Sequence, residues 1–138
     1  VAYSPTTKRL YVADIANRRV LEYDIADAST GQSAVKVIGQ PDFSSTATGL
    51  TAHQFTSPVR LALEADGGRR LFVADGNVTS ARILAFNIGD GVVNGMDAGN
   101  VLGSATFVSQ GAAAITAGTF GVSLTGIAHM DLGHPVCC

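Results

Sequence analysis

The chain repeats itself, and that restricts its fold more than any other feature. Arg9-Leu10-Tyr11-Val12-Ala13-Asp14 returns as Arg70-Leu71-Phe72-Val73-Ala74-Asp75, an offset of 61. Arg19-Val20-Leu21-Glu22-Tyr23 returns as Arg82-Ile83-Leu84-Ala85-Phe86, an offset of 63. Ile38-Gly39 followed by Phe43 returns as Leu102-Gly103 followed by Phe107, an offset of 64. Phe55 then matches Phe120, and Leu61-Ala62 matches Ile127-Ala128. A slowly growing offset is expected when insertions collect in loops while the strands keep their length. Self-similarity at such a period marks a repeat architecture.

The apolar period inside each repeat is that of strands. Leu10, Val12 and Asp14 alternate with Tyr11 and Ala13, and the short runs are rich in Val, Ile, Leu and Tyr between turn residues. The first repeat predicts strands at about Val1–Ser4, Arg9–Asp14, Val20–Asp24 and Ala34–Gly39. The second predicts them at about Arg60–Ala65, Arg70–Asp75, Ile83–Ile88 and Asn100–Gly103, with Asp66-Gly67-Gly68 as a hairpin turn. Four short antiparallel strands and a long connection describe one blade of a β-propeller. The expected fold is therefore all-β, with blades at 1–58 and 59–123 and the start of a third at 124–138. Each blade is expected to pack an inner face, carrying Leu10, Val12 and Val20 or their counterparts, against the next.

Composition agrees with this class and excludes others. The 138 residues are 46% hydrophobic and 14% charged, with 16 Gly, 4 Pro and no Trp. Disorder needs far less apolar content, and a net charge of −2 is wrong for a basic nucleic-acid module. No apolar run approaches the ~18 residues of a membrane span. The sequence opens Val1-Ala2-Tyr3 without a basic segment and apolar stretch, so no signal peptide is read in it. All nine basic residues lie at or before Arg82, against eight acids there and three beyond. No formal charge falls between Asp97 and Asp131, which fits either a surface loop rich in Gly, Ala, Ser and Thr or a stretch that protein covers.

Val12-Ala13-Asp14-Ile15-Ala16-Asn17-Arg18-Arg19-Val20 resembles the core of an NHL repeat, and Ile38-Gly39-Gln40-Pro41-Asp42-Phe43 resembles the end of the long-blade repeats of bacterial NHL-type propellers. The second repeat keeps Val73-Ala74-Asp75, Asn77, Arg82 and Ile83, with two extra residues between Asp75 and Arg82. It replaces Gln40-Pro41-Asp42 by Ser104-Ala105-Thr106, so its long loop is expected to run differently. The resemblance implies a β-propeller; it does not imply an activity, because propellers host many.

Candidate functional residues are few. Asp14 and Asp75, at equivalent strand ends, are each expected to bond backbone N–H groups of the following turn, with Asn17 and Arg19 completing a local network; Asp14, Arg19, Asp75 and Arg82 are read as structural residues of the repeat. His53, His129 and His134 have no metal-ligand spacing, and Gly89–Asp97 lacks the ligands of a calcium loop, so neither metal nor cofactor is expected. Asn77-Val78-Thr79 is a formal glycosylation sequon. The basic pairs Lys8-Arg9, Arg18-Arg19 and Arg69-Arg70 are balanced by acids and form no nucleic-acid stripe. Loops 41–57 and 106–123 and the turns after Asp14 and Asp75 should share one face, with Asn17, Arg18, Asp42 and His53 as binding contacts. Cys137 and Cys138 are adjacent and suit an intermolecular disulfide better than a mutual one.

The function expected is a non-catalytic binding or scaffold module, extracellular or on the cell surface. It would bind protein, either its own copies or further blades of a parent chain. The alternative is a metal-dependent propeller lyase or hydrolase with its site in other blades.

Overall fold

The computed structural model describes residues 1–65, 69–77 and 80–109. The expected third blade, His129, His134, Cys137 and Cys138, the Asp66-Gly67-Gly68 turn, most of the loop at 106–123 and two residues of the sequon lie outside that set. The described residues hold strands and no helix. They are β1 (Ala2–Ser4), β2 (Arg9–Asp14), β3 (Arg19–Asp24), β4 (Lys36–Ile38), β5 (Pro58–Leu63), β6 (Arg70–Asn77), β7 (Ser80–Asn87) and β8 (Asn100–Leu102). Two four-stranded antiparallel sheets form, each in sequence order: β1 to β4 and β5 to β8. The all-β expectation and the two-sheet repeat hold.

The register explains the repeat. Asp14 faces Arg19 across β2–β3, and Asp75 faces Arg82 across β6–β7. The two extra residues of the second repeat do not lengthen a loop. Six residues separate Asp75 from Arg82 where four separate Asp14 from Arg19, and four of the six are drawn into the strands as the added pairs Gly76–Ala81 and Asn77–Ser80. A hairpin twists more the longer it runs, but its pairing stays in phase only if residues are added equally to both arms.

Residues directly opposite in a ladder share a face. In the first sheet Ala2, Tyr11 and Glu22 lie in one row and Ala13, Val20 and Ile38 in the next. Tyr11, Val20 and Ile38 join the core, with Ala2 and Ala13 packed on it. Across the core stand the rows Leu63–Leu71–Phe86 and Leu61–Val73–Leu84–Val101 of the second sheet, and β5 lies against β1 and β2. Phe55, from the loop between the sheets, meets Phe86 edge-on, with ring centroids 5.9 Å apart at 72°, the arrangement that ring quadrupoles favour.

The two sheets therefore use opposite faces. Leu71, Val73, Leu84 and Phe86 are the counterparts of Leu10, Val12, Leu21 and Tyr23, which lie on the other side of the first sheet. Packing is head to tail. This corrects the expected inner face: Val20 is fully buried between the sheets, whereas Leu10 and Val12 face away and are only half-buried.

Two features fix the seam. Gly39 has φ +91°, and a Cβ there would stand 2.2 Å from the buried Phe55 ring, so a side chain is excluded by both backbone and space. Gly103, its counterpart, has φ +78°. The connection between β7 and β8 reaches back over the first sheet: Val37 N donates to Asn94 Oδ1 (3.1 Å), and Gly95 N donates to Val37 O (3.2 Å). The segment that resembled a calcium loop only faintly is thus a clasp on the open edge of β4, a position that would otherwise invite pairing.

Candidate functional site

The loop end of the sheets carries the expected Asp–Arg networks. Asp14 accepts from Asn17 Nδ2 (2.9 and 3.1 Å) and from Arg19 Nε (2.7 Å). Burial works to raise the Asp14 pKa, but the Asn17 and Arg19 bonds outweigh it and hold the carboxyl below its usual range. Arg19 also donates to the Phe43 carbonyl, which places Asp14 and the start of the long loop at the same end of the sheet. The second network repeats this and adds to it. Arg82 donates to Asp75, to the Phe107 carbonyl, and to the carbonyls of Thr51 (3.2 Å) and Gln54 (2.8 Å). Asp75 Oδ1 in turn accepts from Thr56 N (2.8 Å), Thr56 Oγ1 (3.1 Å) and Ser57 N (2.7 Å), so among the described residues its amide donors come from the incoming loop and not, as expected, from the turn that follows it.

The four residues offered as loop-face contacts each make a polar contact within the chain. Asn17 serves Asp14, and Arg18 Nη1 donates to Thr46 O (3.2 Å). Asp42 Oδ1 accepts from Ser44 N (2.9 Å), Ser44 Oγ (2.8 Å) and Ser45 N (2.7 Å), and these bonds pull its pKa down to about 2. His53 Nδ1 lies 2.8 Å from Asp97 Oδ1, joining the long loop to the β7–β8 clasp. Among the described residues no group of three or more His, Cys, Asp or Glu is placed to hold a metal ion.

The more unusual chemistry is at the opposite, hairpin end. A cavity of about 440 Å³ opens between the sheets. Its first wall carries Thr7, Arg9, Tyr11, Glu22, Asp24 and Lys36, and its second is made by Ile88, Gly89, Gly91 and Val92 of the clasp. Glu22 is central to it. Register forces the side chain onto the buried face beside Tyr11 and Lys36, and it is only 8% exposed. Arg9 Nε lies 3.3 Å from Glu22 Oε1, while Glu22 Oε2 has no hydrogen-bond partner. Arg9 Nη1 sits 2.6 Å from Asp24 Oδ2, an ion pair by distance without well-aligned hydrogen-bond geometry.

The electrostatics follow from that placement. Burial raises the Glu22 pKa, with Asp24 adding to it, and the nearby Arg9 and Lys36 charges offset only part. Burial likewise pushes the Tyr11 phenol up to about 12, with Glu22 adding and Arg9 opposing. Asp24 is held below its usual range by the Ala26 amide and by Arg9. Two acids and two bases thus share one cleft.

Glu22 escaped attention in the sequence because it sits in phase with a strand pattern. The repeat itself held the signal. At the same register the second sheet has Ala85 for Glu22, Phe72 for Tyr11, Asn87 for Asp24 and Asn100 for Lys36. The repeat keeps the basic residue, with Arg70 for Arg9, but folds with uncharged residues at the other positions, so Glu22, Asp24 and Lys36 are not a requirement of the architecture. No family model matches the chain, and no curated protein or solved structure matches it.

Proposed function

We propose that this chain is a non-catalytic binding and scaffold module of NHL-like propeller blades whose partner is another blade of the same kind. The observation that carries this is the head-to-tail packing of the two sheets. The second sheet receives the first on Leu71, Val73, Leu84 and Phe86. The first sheet presents the corresponding row, Leu10, Val12, Leu21 and Tyr23, half-buried and facing away from that contact, with Tyr3 beside it and 45% exposed. A face built to accept a Tyr11–Val20–Ile38 type surface accepts it equally from a second copy or from further repeats of a parent chain. Such head-to-tail contacts propagate into rings when the rotation closes and filaments when it does not. The setting that fits this reading is extracellular or cell-surface, where Cys137 and Cys138 could cross-link neighbouring chains.

Sedimentation velocity of the full chain, with and without reductant, tests the reading. Concentration-dependent association is expected, and Leu21→Glu should abolish it by placing a charge in the centre of the outward face. Dependence on reductant would show that the cysteines lock the junction. A compact monomer with a cooperative melt would refute the module reading.

A further inference from the structure

We propose that the cleft at the hairpin end is a binding site for a compact, uncharged polyhydroxyl ligand, a free monosaccharide or the terminal sugar of a glycan, held by Glu22, Arg9 and Lys36. Three observations lead there. The cavity, at about 440 Å³, falls in the range of small-molecule sites, roughly 300–1,000 Å³. Glu22 is more than nine-tenths buried, lines the cavity and keeps one oxygen without a partner. A buried polar atom left unpaired is a net cost to the fold. The same position in the second sheet is filled by Ala85, so the cost is not imposed by the repeat.

The balance of groups selects the ligand class. Asp24 and Glu22 disfavour an anion, while Arg9 and Lys36 disfavour a cation, and among the described residues no three carboxylates are grouped to hold a metal. What remains is a molecule that both donates and accepts hydrogen bonds without net charge. A hydroxyl can donate to Glu22 while a neighbouring one accepts from Arg9, Lys36 or Thr7 Oγ1. Val35, Ile88 and Val92 supply an apolar wall against which the C–H face of a sugar ring can lie. Bringing Glu22 Oε2 to the ligand takes a side-chain rotation of the kind common on binding. This site lies at the end of the sheets opposite the loop networks and does not depend on the proposed assembly.

Saturation-transfer NMR on the full chain provides the test, using D-glucose, D-galactose, their methyl glycosides and myo-inositol as probes. Ethylammonium, calcium and inorganic phosphate serve as charged comparisons. Saturation by at least one polyhydroxyl probe is expected, with Glu22→Ala binding it roughly ten- to a hundredfold more weakly. Preference for the methyl glycoside would identify a glycan terminus as the source, and preference for the reducing sugar a free monosaccharide. Glu22→Ala introduces the residue the second sheet already carries, so its melting temperature should stay level or rise. Glu22→Gln provides a second variant of nearly the same shape, expected to weaken binding in the same direction. The proposal fails if no polyhydroxyl probe saturates the protein, if only a charged probe does, or if binding survives Glu22→Ala unchanged.

Discussion

Asp14–Arg19 and Asp75–Arg82 are the same pair at the same register in two sheets, yet they live in different surroundings. The first pair is partly open, with side chains 22% and 15% exposed; the second is sealed, at 0% and 2%. Each Arg bonds its own Asp and the carbonyl of the Phe that opens its exit loop. The difference is the loop arriving from the preceding sheet. Residues 51–57 place two carbonyls on Arg82 and three donors on Asp75, and no loop of the described residues does this for Asp14. The motif is thus a socket. Its Asp and Arg order their own turn, and the neighbouring repeat's loop completes the desolvated network that joins the two sheets.

The sharpest way to break this comparison is to remove each Arg in turn. Arg82→Ala leaves a buried Asp75 charge and the Thr51, Gln54 and Phe107 carbonyls without their donor. Truncating one member of a buried ion pair costs about 3–5 kcal/mol. Arg19→Ala removes a partly solvated pair and should cost about 1 kcal/mol. Denaturant titration of both variants checks this. Equal losses would mean that the incoming loop contributes nothing to the second socket.

A smaller effect separates the exit loops. In the first repeat Gln40 is fully buried, and its amide donates to Arg18 O (3.1 Å) and Ala47 O (2.7 Å) and accepts from Ala47 N (3.1 Å). In the second repeat Ser104 takes that place, and its hydroxyl lies 3.0 Å from Thr106 O and 2.8 Å from Ser109 O. The Ser hydroxyl sits one carbon from the backbone where the Gln amide reaches two carbons further, so it serves a tighter turn, and it has one proton to give. Gln40→Ala should cost about 2 kcal/mol through the unpaired backbone groups it leaves, and Ser104→Ala about 1 kcal/mol. Thermal melts of the two variants would rank them, and a reversed order would show that the second loop is the better anchored.

How far the sequence led is clear from particular residues. The repeat and its turn residues located the eight strands of the described residues to within a few positions, because alternation and strand ends are local properties. The Asp14–Asn17–Arg19 network was legible for the same reason: its partners lie within five residues. Which face each sheet turns to the other was not legible. Leu10, Val12, Tyr11 and Val20 are all apolar, and only the packing of the two sheets tells the buried row from the outward one. Glu22 was missed on similar grounds, since nothing within one strand marks a charge as buried. Gly39 was visible as a repeat landmark, but its reason is the Phe55 ring, sixteen residues away.

The smallest effect expected is in the acid limb of stability, where carboxyls of the first sheet and its exit loop pull in opposite directions. Asp42, titrating at about 2 against an ordinary 3.8, favours folding when ionised. Its contribution is complete above pH ~4 and disappears as pH falls through about 2. Asp42→Asn should therefore differ from the parent at neutral pH and converge with it in strong acid. Glu22 has the opposite sign, because burial raises its pKa above the ordinary 4.5. Its protonated form suits the fold, so its favourable share is present below pH ~4.5 and is lost as pH rises through the raised value. Glu22→Gln should match the parent in acid and become relatively more stable as pH rises. Melting temperatures across this range for both variants give two curves diverging from the parent in opposite directions. If both fell on the same side, the carboxyl in the cleft would be held by partners as firmly as the one in the loop.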